Sequence, residues 1–215
     1  MSDIILVTGM VLSAAPVGES DRRLVILTRE RGKISAFARG ARKPNSPLVG
    51  STRPFAYGQI KLYEGRSSYT VHSMDIQNYF EETASDLESS CYGSYFMEFA
   101  DYYTREGMEA DQMLKLLYAA LLALARPALP DSLVRAVFEL RAMVINGDYS
   151  EHPLHEVCAP ADYAWSYCIS TPIERLFTFT LNEEGLHDFI KEVTALKDHF
   201  IDRRFKSLEI LETML

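Results

Sequence analysis

The stretch FARGARKPNSPLVG, residues 37 to 50, sets Arg39, Arg42 and Lys43 among glycines and prolines with no acid in it. Such a loop suits an anion. A phosphate backbone is held by distributed cations and exposed N–H groups, and much of the binding comes from released counterions. Arg22, Arg23, Arg29, Lys33, Arg53, Lys61 and Arg66 lie in the same first 80 residues and extend the candidate surface. Phe37, Tyr57 and Tyr63, with Phe55 and Tyr69 near them in the chain, are candidate faces on which nucleobases stack. Taken singly, each arginine reads as a solvated group and each aromatic as a core residue. Taken together they read as a nucleic-acid surface.

Catalytic motifs are missing from the sequence. It holds no GxxxxGK[ST] loop, GxGxxG fingerprint, GxSxG elbow or HExxH pair, so a binding role without enzymatic chemistry is expected. His152, His155, Cys158 and Cys168 offer zinc-type donors in one region. Ala161, however, stands where a CxxC partner of Cys158 would be, and neither a metal nor another cofactor is expected. With Cys91, the cysteines make an odd set with no disulfide framework, which points to a reducing, cytoplasmic setting. No apolar run approaches the ~20 residues of a membrane span. The opening IILVTGMVL lacks the basic flank of a signal peptide, so no membrane partner is expected.

The elements that must position these residues show two periodicities. Up to residue 80, short β-rich runs (GMVLSA, RRLVILTRE, GKISAFARG, FAYGQIKLYEG and SSYTVHSMDI) alternate with turns. Glu30-Arg31-Gly32 reads as one hairpin turn and Glu64-Gly65-Arg66-Ser67 as another. Strands this short and this few fit a small closed barrel, with residues 43 to 54 as the long connection between the third and fourth. After residue 80 the period becomes helical: Leu87, Cys91, Tyr95, Phe99 and Tyr103 recur at four-residue steps. DQMLKLLYAALLALAR is apolar on most sides and reads as a buried helix. Asp131 is the expected cap of the next helix, Gly147 its stop, and Asn182 the cap of a last helical stretch with a break near Phe200. An α+β chain of two domains is expected, a barrel at 1–80 and an all-α body at 81–215, with an irregular insert around 148–181.

Charge divides in the same place. Residues 1 to 80 hold 11 Lys and Arg against 6 Asp and Glu, whereas residues 81 to 215 hold 11 against 24. That asymmetry joins a nucleic-acid-facing module to an acidic one.

The motifs resemble those of the RecO family, bacterial mediators of DNA repair and recombination. The likeness rests on Gly9-x-Val11-Leu12, on Gly18-Glu19-Ser20-Asp21, and on Thr28-Arg29-Glu30-x-Gly32. Gly40-Ala-Arg-Lys-Pro44, Ser46 and Pro54-Phe55 continue it, and FELRAMVINGDY and RRFKSLEIL carry it through the helical part. The resemblance implies an OB-fold followed by a helical domain, binding to single- and double-stranded DNA, and strand annealing. It implies RecR as a partner, and RecA indirectly, which replaces single-stranded-DNA-binding protein on gapped DNA. The acidic, apolar tail of that last protein needs a groove rimmed by a cation, for which Arg135 and Arg141 are candidates. A zinc knuckle carried by many relatives has at most Cys158 left here, which weakens the metal more than the function. The alternative is a protein-interaction adaptor in which the acidic helical body carries the main role.

Overall fold

A computed structural model describes residues 4–66 and 68–214. The chain forms two compact units: Met1–Ala84 with Asp101–Leu114, and Ser85–Ala100 with Lys115–Leu215.

In the first unit β1 (Ile4–Val17), β2 (Asp21–Thr28), β3 (Gly32–Ala38), β4 (Tyr57–Glu64) and β5 (Tyr69–Asn78) close into a barrel of order β1-β2-β3-β5-β4. This is the five-stranded barrel and helical body that the sequence implied. All pairings are antiparallel except β3 with β5, which meet at Ala36↔Tyr69 and Phe37↔Thr70. β1 is longer than GMVLSA because it serves two neighbours: Ile4–Met10 pair with β4 and Gly9–Val17 with β2. At the handover Gly9 faces Gly58 in register. A Cβ on either would stand 2.6 Å from the Leu27 carbonyl oxygen or 2.1 Å from that of Asp75, so only glycine fits the bend.

Alternation decides what points inward. On β3 Ile34 and Ala36 are buried while Lys33, Ser35 and Phe37 face out; on β4 Ile60 and Leu62 are buried while Gln59 and Lys61 face out. Val7, Val11, Leu24 and Ile26 complete the interior. Tyr69 belongs to this core, and Phe55 is also buried. Both are therefore buried rather than exposed stacking faces. The connection from β3 to β4 carries a single short helix, α1 (Leu48–Ser51). Of the second hairpin turn, Ser67 lies outside the described residues.

The barrel unit recruits residues 101–114, which a single cut at residue 80 leaves out. The Lys33 N–H donates to the Arg105 carbonyl (3.1 Å) and the Gly107 N–H to that of Arg31 (3.0 Å), with a bridge between Gly32 and Glu106. Gly32 permits this approach: its φ is +67° and a Cβ would come within 2.3 Å of the Arg105 carbonyl oxygen.

The other unit is helical. α2 (Glu81–Ser85) lies in the barrel unit up to Ala84, α3 (Leu87–Tyr103) and α4 (Asp111–Leu124) are shared between the units, and α5 (Asp131–Asn146), α6 (Ala159–Ser170), α7 (Glu183–Phe200) and α8 (Lys206–Met214) lie wholly in the helical one. Its core is aromatic: Phe96 stacks on Phe138 with centroids 4.3 Å apart, and Phe205 meets Tyr95 and Phe99 at 5.4 and 5.3 Å. The apolar helix α4 is buried on most sides as expected. In α3 the buried stripe runs through Tyr92, Tyr95, Phe96 and Phe99, while Leu87 is 67% exposed. Gly147 ends α5 with φ 83° and Asn182 caps α7 by accepting from the Gly185 N–H. α7 stops at Phe200, the expected break.

Two expectations need correction. Asp131 does not cap α5; Pro130 holds that position, and Asp131 lies in the first turn, accepting from the Ser89 hydroxyl (3.2 Å). Nor is 148–181 irregular throughout, since Pro160 opens the twelve-residue helix α6, whose Trp165 is fully buried. Clustered prolines and polar residues hid that helix. Among the described residues no helix is long and apolar enough to cross a membrane.

Candidate nucleic-acid interface

The strand β2 carries cations at both ends, about 23 Å apart at the usual rise per residue, and the two ends have different surroundings. At its far end Arg29 pairs with Asp111 (3.0 Å), and on the next strand Lys33 pairs with Asp101 (2.9 Å) and also donates to its carbonyl. Arg31 meets Glu64 at 3.4 Å. The acids of 101–114 thus neutralise this end. Charge counted by unit changes accordingly: the barrel unit holds 12 Lys and Arg against 12 Asp and Glu, and the helical unit 10 against 18. The positive balance of residues 1 to 80 therefore does not describe the folded unit.

The near end keeps its cations out of ion pairs among the described residues, Arg53 excepted. The Gly40 N–H donates to the Asp21 carboxylate (2.8 Å) and the Arg42 N–H to the Ser20 carbonyl (2.8 Å), which ties the basic loop to the β1–β2 turn. The Gly40 N–H, helped by the Ser20 hydroxyl and by Arg39 and Lys43, holds the Asp21 carboxyl below the usual carboxylate range. Arg39 and Lys43 are exposed and make no side-chain hydrogen bond or ion pair among the described residues. Arg42 donates to the Gly18 carbonyl (3.1 Å), and Arg22 to the Val49 carbonyl (3.0 Å) and the Thr52 hydroxyl (2.7 Å). Arg53 lies over the Tyr79 ring (4.5 Å) and reaches Glu81 (3.3 Å). Arg22, Arg42 and Arg53 line one depression of about 270 Å³.

The remaining candidates face outward from the barrel wall. Arg23 donates to the Ser35 hydroxyl (2.9 Å) and sits across from half-buried Phe37 in register. Lys61 is exposed on β4, with Tyr57 and Tyr63 half-buried on the same side of that strand. Tyr63 meets His72 edge to face at 5.1 Å. Arg66 is exposed beyond β4. Phe37 and Tyr63 both face Thr70 of β5 in register, from either side, and of the candidate aromatics only Phe37 also adjoins a candidate cation, Arg23, across strands. His72 escaped the sequence reading, although strand alternation places it outward; nothing in the sequence marks Thr52 as the residue that fixes Arg22.

Both candidates in the helical unit are engaged internally. Arg135 donates to Glu139 (3.0 Å), whose side chain is 2% exposed and also meets the Tyr95 hydroxyl (2.5 Å) and Lys197 (3.5 Å). Burial works most strongly against the Arg135 charge, but Glu139, Tyr95 and Tyr92 together outweigh it and hold its pKa up. Arg141 donates to the carbonyls of Cys168 (3.1 Å) and Ile169 (2.5 Å) at the end of α6, and burial pulls its pKa down. Arg135 is thus ion-paired, whereas Arg141 meets carbonyls and its buried Nε has no partner among the described residues. His155 engages Glu192 through its ring (3.0 Å) and Cys158 donates its N–H to Asp188 (3.0 Å). Among the described residues no group of these side chains is placed to hold a metal ion.

Family comparison meets this geometry directly. The model of the recombination protein O N-terminal domain matches residues 1–80, and that of its C-terminal domain residues 84–149. The chain belongs to the RecO family. A DNA repair protein RecO of Acetivibrio thermocellus is 33% identical across 96% of this chain and 96% of its own length. Similar proteins of the same name come from Clostridium kluyveri (25% identical, 96% and 92% covered) and Moorella thermoacetica (34%, 70% and 55%). For this RecO-family chain the first model spans the barrel together with its basic loop, and the second spans α3, α4 and α5.

Proposed function

We propose that this chain binds DNA at the cationic end of its barrel and acts in repair and homologous recombination as a mediator with no reaction of its own. The gathering of Arg22, Arg39, Arg42, Lys43 and Arg53 at one end, of which only Arg53 meets an acid among the described residues, while acids take Arg29, Arg31 and Lys33 at the other, carries the reading. Phe37 and Arg23 extend that surface along β2 and β3. Family membership supports single- and double-stranded DNA as ligands, annealing as an outcome, and RecR as partner in exchanging single-stranded-DNA-binding protein for RecA. The acidic helical unit supplies protein-docking surface, with Arg135 and Arg141 on α5 as the candidate cations for the partner's tail. The setting is the cytoplasm, on the nucleoid.

A salt titration of oligo-dT binding by the intact chain tests this. Five near-end cations predict a slope of log K against log salt of about −3.5, at ~0.7 per single-strand phosphate. A slope near zero overturns the reading. Loss of all DNA affinity, with partner proteins still captured after nuclease treatment, assigns the chain as an adaptor instead.

A further inference from the structure

We infer that the depression between Arg22, Arg42 and Arg53 is a seat for one phosphate group of a nucleic-acid strand, its sugar lying against Ala14, Pro16 and Pro54. The inference rests on the DNA-binding reading and adds a fixed subsite to it. Phosphate held only by counterion release needs loosely placed surface charge, whereas these guanidinium groups are held in place. Arg22 is fastened to Thr52 and Val49, and Thr52 in turn donates to the Leu48 carbonyl (2.6 Å). The Tyr79 ring and Glu81 hold Arg53, and the Gly18 carbonyl holds Arg42.

Those contacts use one nitrogen of each guanidinium: Nη1 of Arg22, Nη1 of Arg42 and Nη2 of Arg53. Among the described residues their other N–H groups have no acceptor, and an arginine fork matches the oxygens of a phosphate. The volume of about 270 Å³ equals roughly nine waters at ~30 Å³ each, room for more than the few heavy atoms of a bare phosphate. Ala14, Pro16 and Pro54 add apolar lining to the depression, which suits a deoxyribose better than a bare anion. The ligand is thus a phosphodiester flanked by its sugar, in preference to free phosphate.

The full-length chain, labelled at the arginine Nε–H groups, is titrated by NMR with 5′-phosphorylated dithymidine and, separately, with inorganic phosphate. The expected result is saturable movement of the Arg22, Arg42 and Arg53 signals with both probes, the dinucleotide binding about tenfold tighter through its sugar contacts. Arg53→Gln weakens the dinucleotide about tenfold by removing charge-assisted hydrogen bonds. Arg42→Gln, on an exposed loop, gives the same loss without touching the Tyr79 contact. Lys191→Ala, on α7 of the helical unit, leaves dinucleotide affinity unchanged. If neither probe moves these signals while oligo-dT still binds, the seat is refuted and the DNA-binding reading stands. If oligo-dT fails as well, both fall. Equal affinity for the two probes refutes the sugar contact and with it the assignment to a strand.

Discussion

Two sets of substitutions separate cations by their surroundings. Replacing Arg39, Arg42 and Lys43 with alanine removes charges that no ion pair satisfies, whereas replacing Arg29 and Lys33 removes charges already met by Asp111 and Asp101. At ~0.7 counterions per single-strand phosphate, the first set flattens the salt slope by about 2.1. The difference in affinity from the unaltered chain then shrinks about 18-fold between 50 and 200 mM salt. The second set leaves the slope nearly unchanged, because Asp101 and Asp111 already occupy those cations. Stability behaves the other way round. Lys33 is half-buried and its pair contributes up to about 1 kcal/mol, whereas the exposed loop residues are worth no more than about 0.5 kcal/mol. Fluorescence anisotropy of a labelled oligo-dT across that salt range, with urea melts of each variant, measures both quantities. If both sets flatten the slope equally, the contrast between the barrel's ends does not govern binding and the reasoning fails.

Further outcomes follow from other sites. Arg135→Ala leaves the buried Glu139 carboxylate to Lys197 (3.5 Å) and the Tyr95 hydroxyl and is expected to cost about 1–3 kcal/mol in urea unfolding; a variant that keeps full stability but loses a protein partner would contradict its internal role. Burial pushes the Cys168 thiol up to about 12, so in the native protein at pH 8 it resists a disulfide reagent and reacts only on unfolding. Rapid labelling of Cys168 in the folded chain would refute this. The Asp21 carboxyl is held below its ordinary 3.8, so its contribution to stability is present above that value and lost as pH falls through the lower folded one. A carboxyl NMR titration of Asp21 with a midpoint at or above 3.8 would show that the Gly40 contact does not hold the loop.

Much of the architecture could be read in the chain because it depends on local rules. Ile60 and Leu62 alternate with Gln59 and Lys61 as a half-buried strand requires, and they sit inside the barrel. Gly147 and Asn182 mark helix ends because left-handed backbone and side-chain capping are properties of those residue types. Asp131 misled because the preceding Pro130, fixed in extended φ/ψ, takes the boundary position itself. Helix α6 was obscured because Trp165 and Cys168 are apolar positions set among prolines and polar residues that read as loop.

The basic loop, its acid-free composition and the family motifs belong to the linear chain. Which cations keep an open surface does not. Asp101 and Asp111 are more than 65 residues from Lys33 and Arg29, and only packing of 101–114 on the barrel brings them within 3.0 Å. Arg22, Arg42 and Arg53 likewise meet around one depression because barrel closure and the β3–β4 connection fold distant segments together. Charge is a property of residues, but electrostatic field depends on distance, and distances between residues far apart in sequence are set by tertiary contacts.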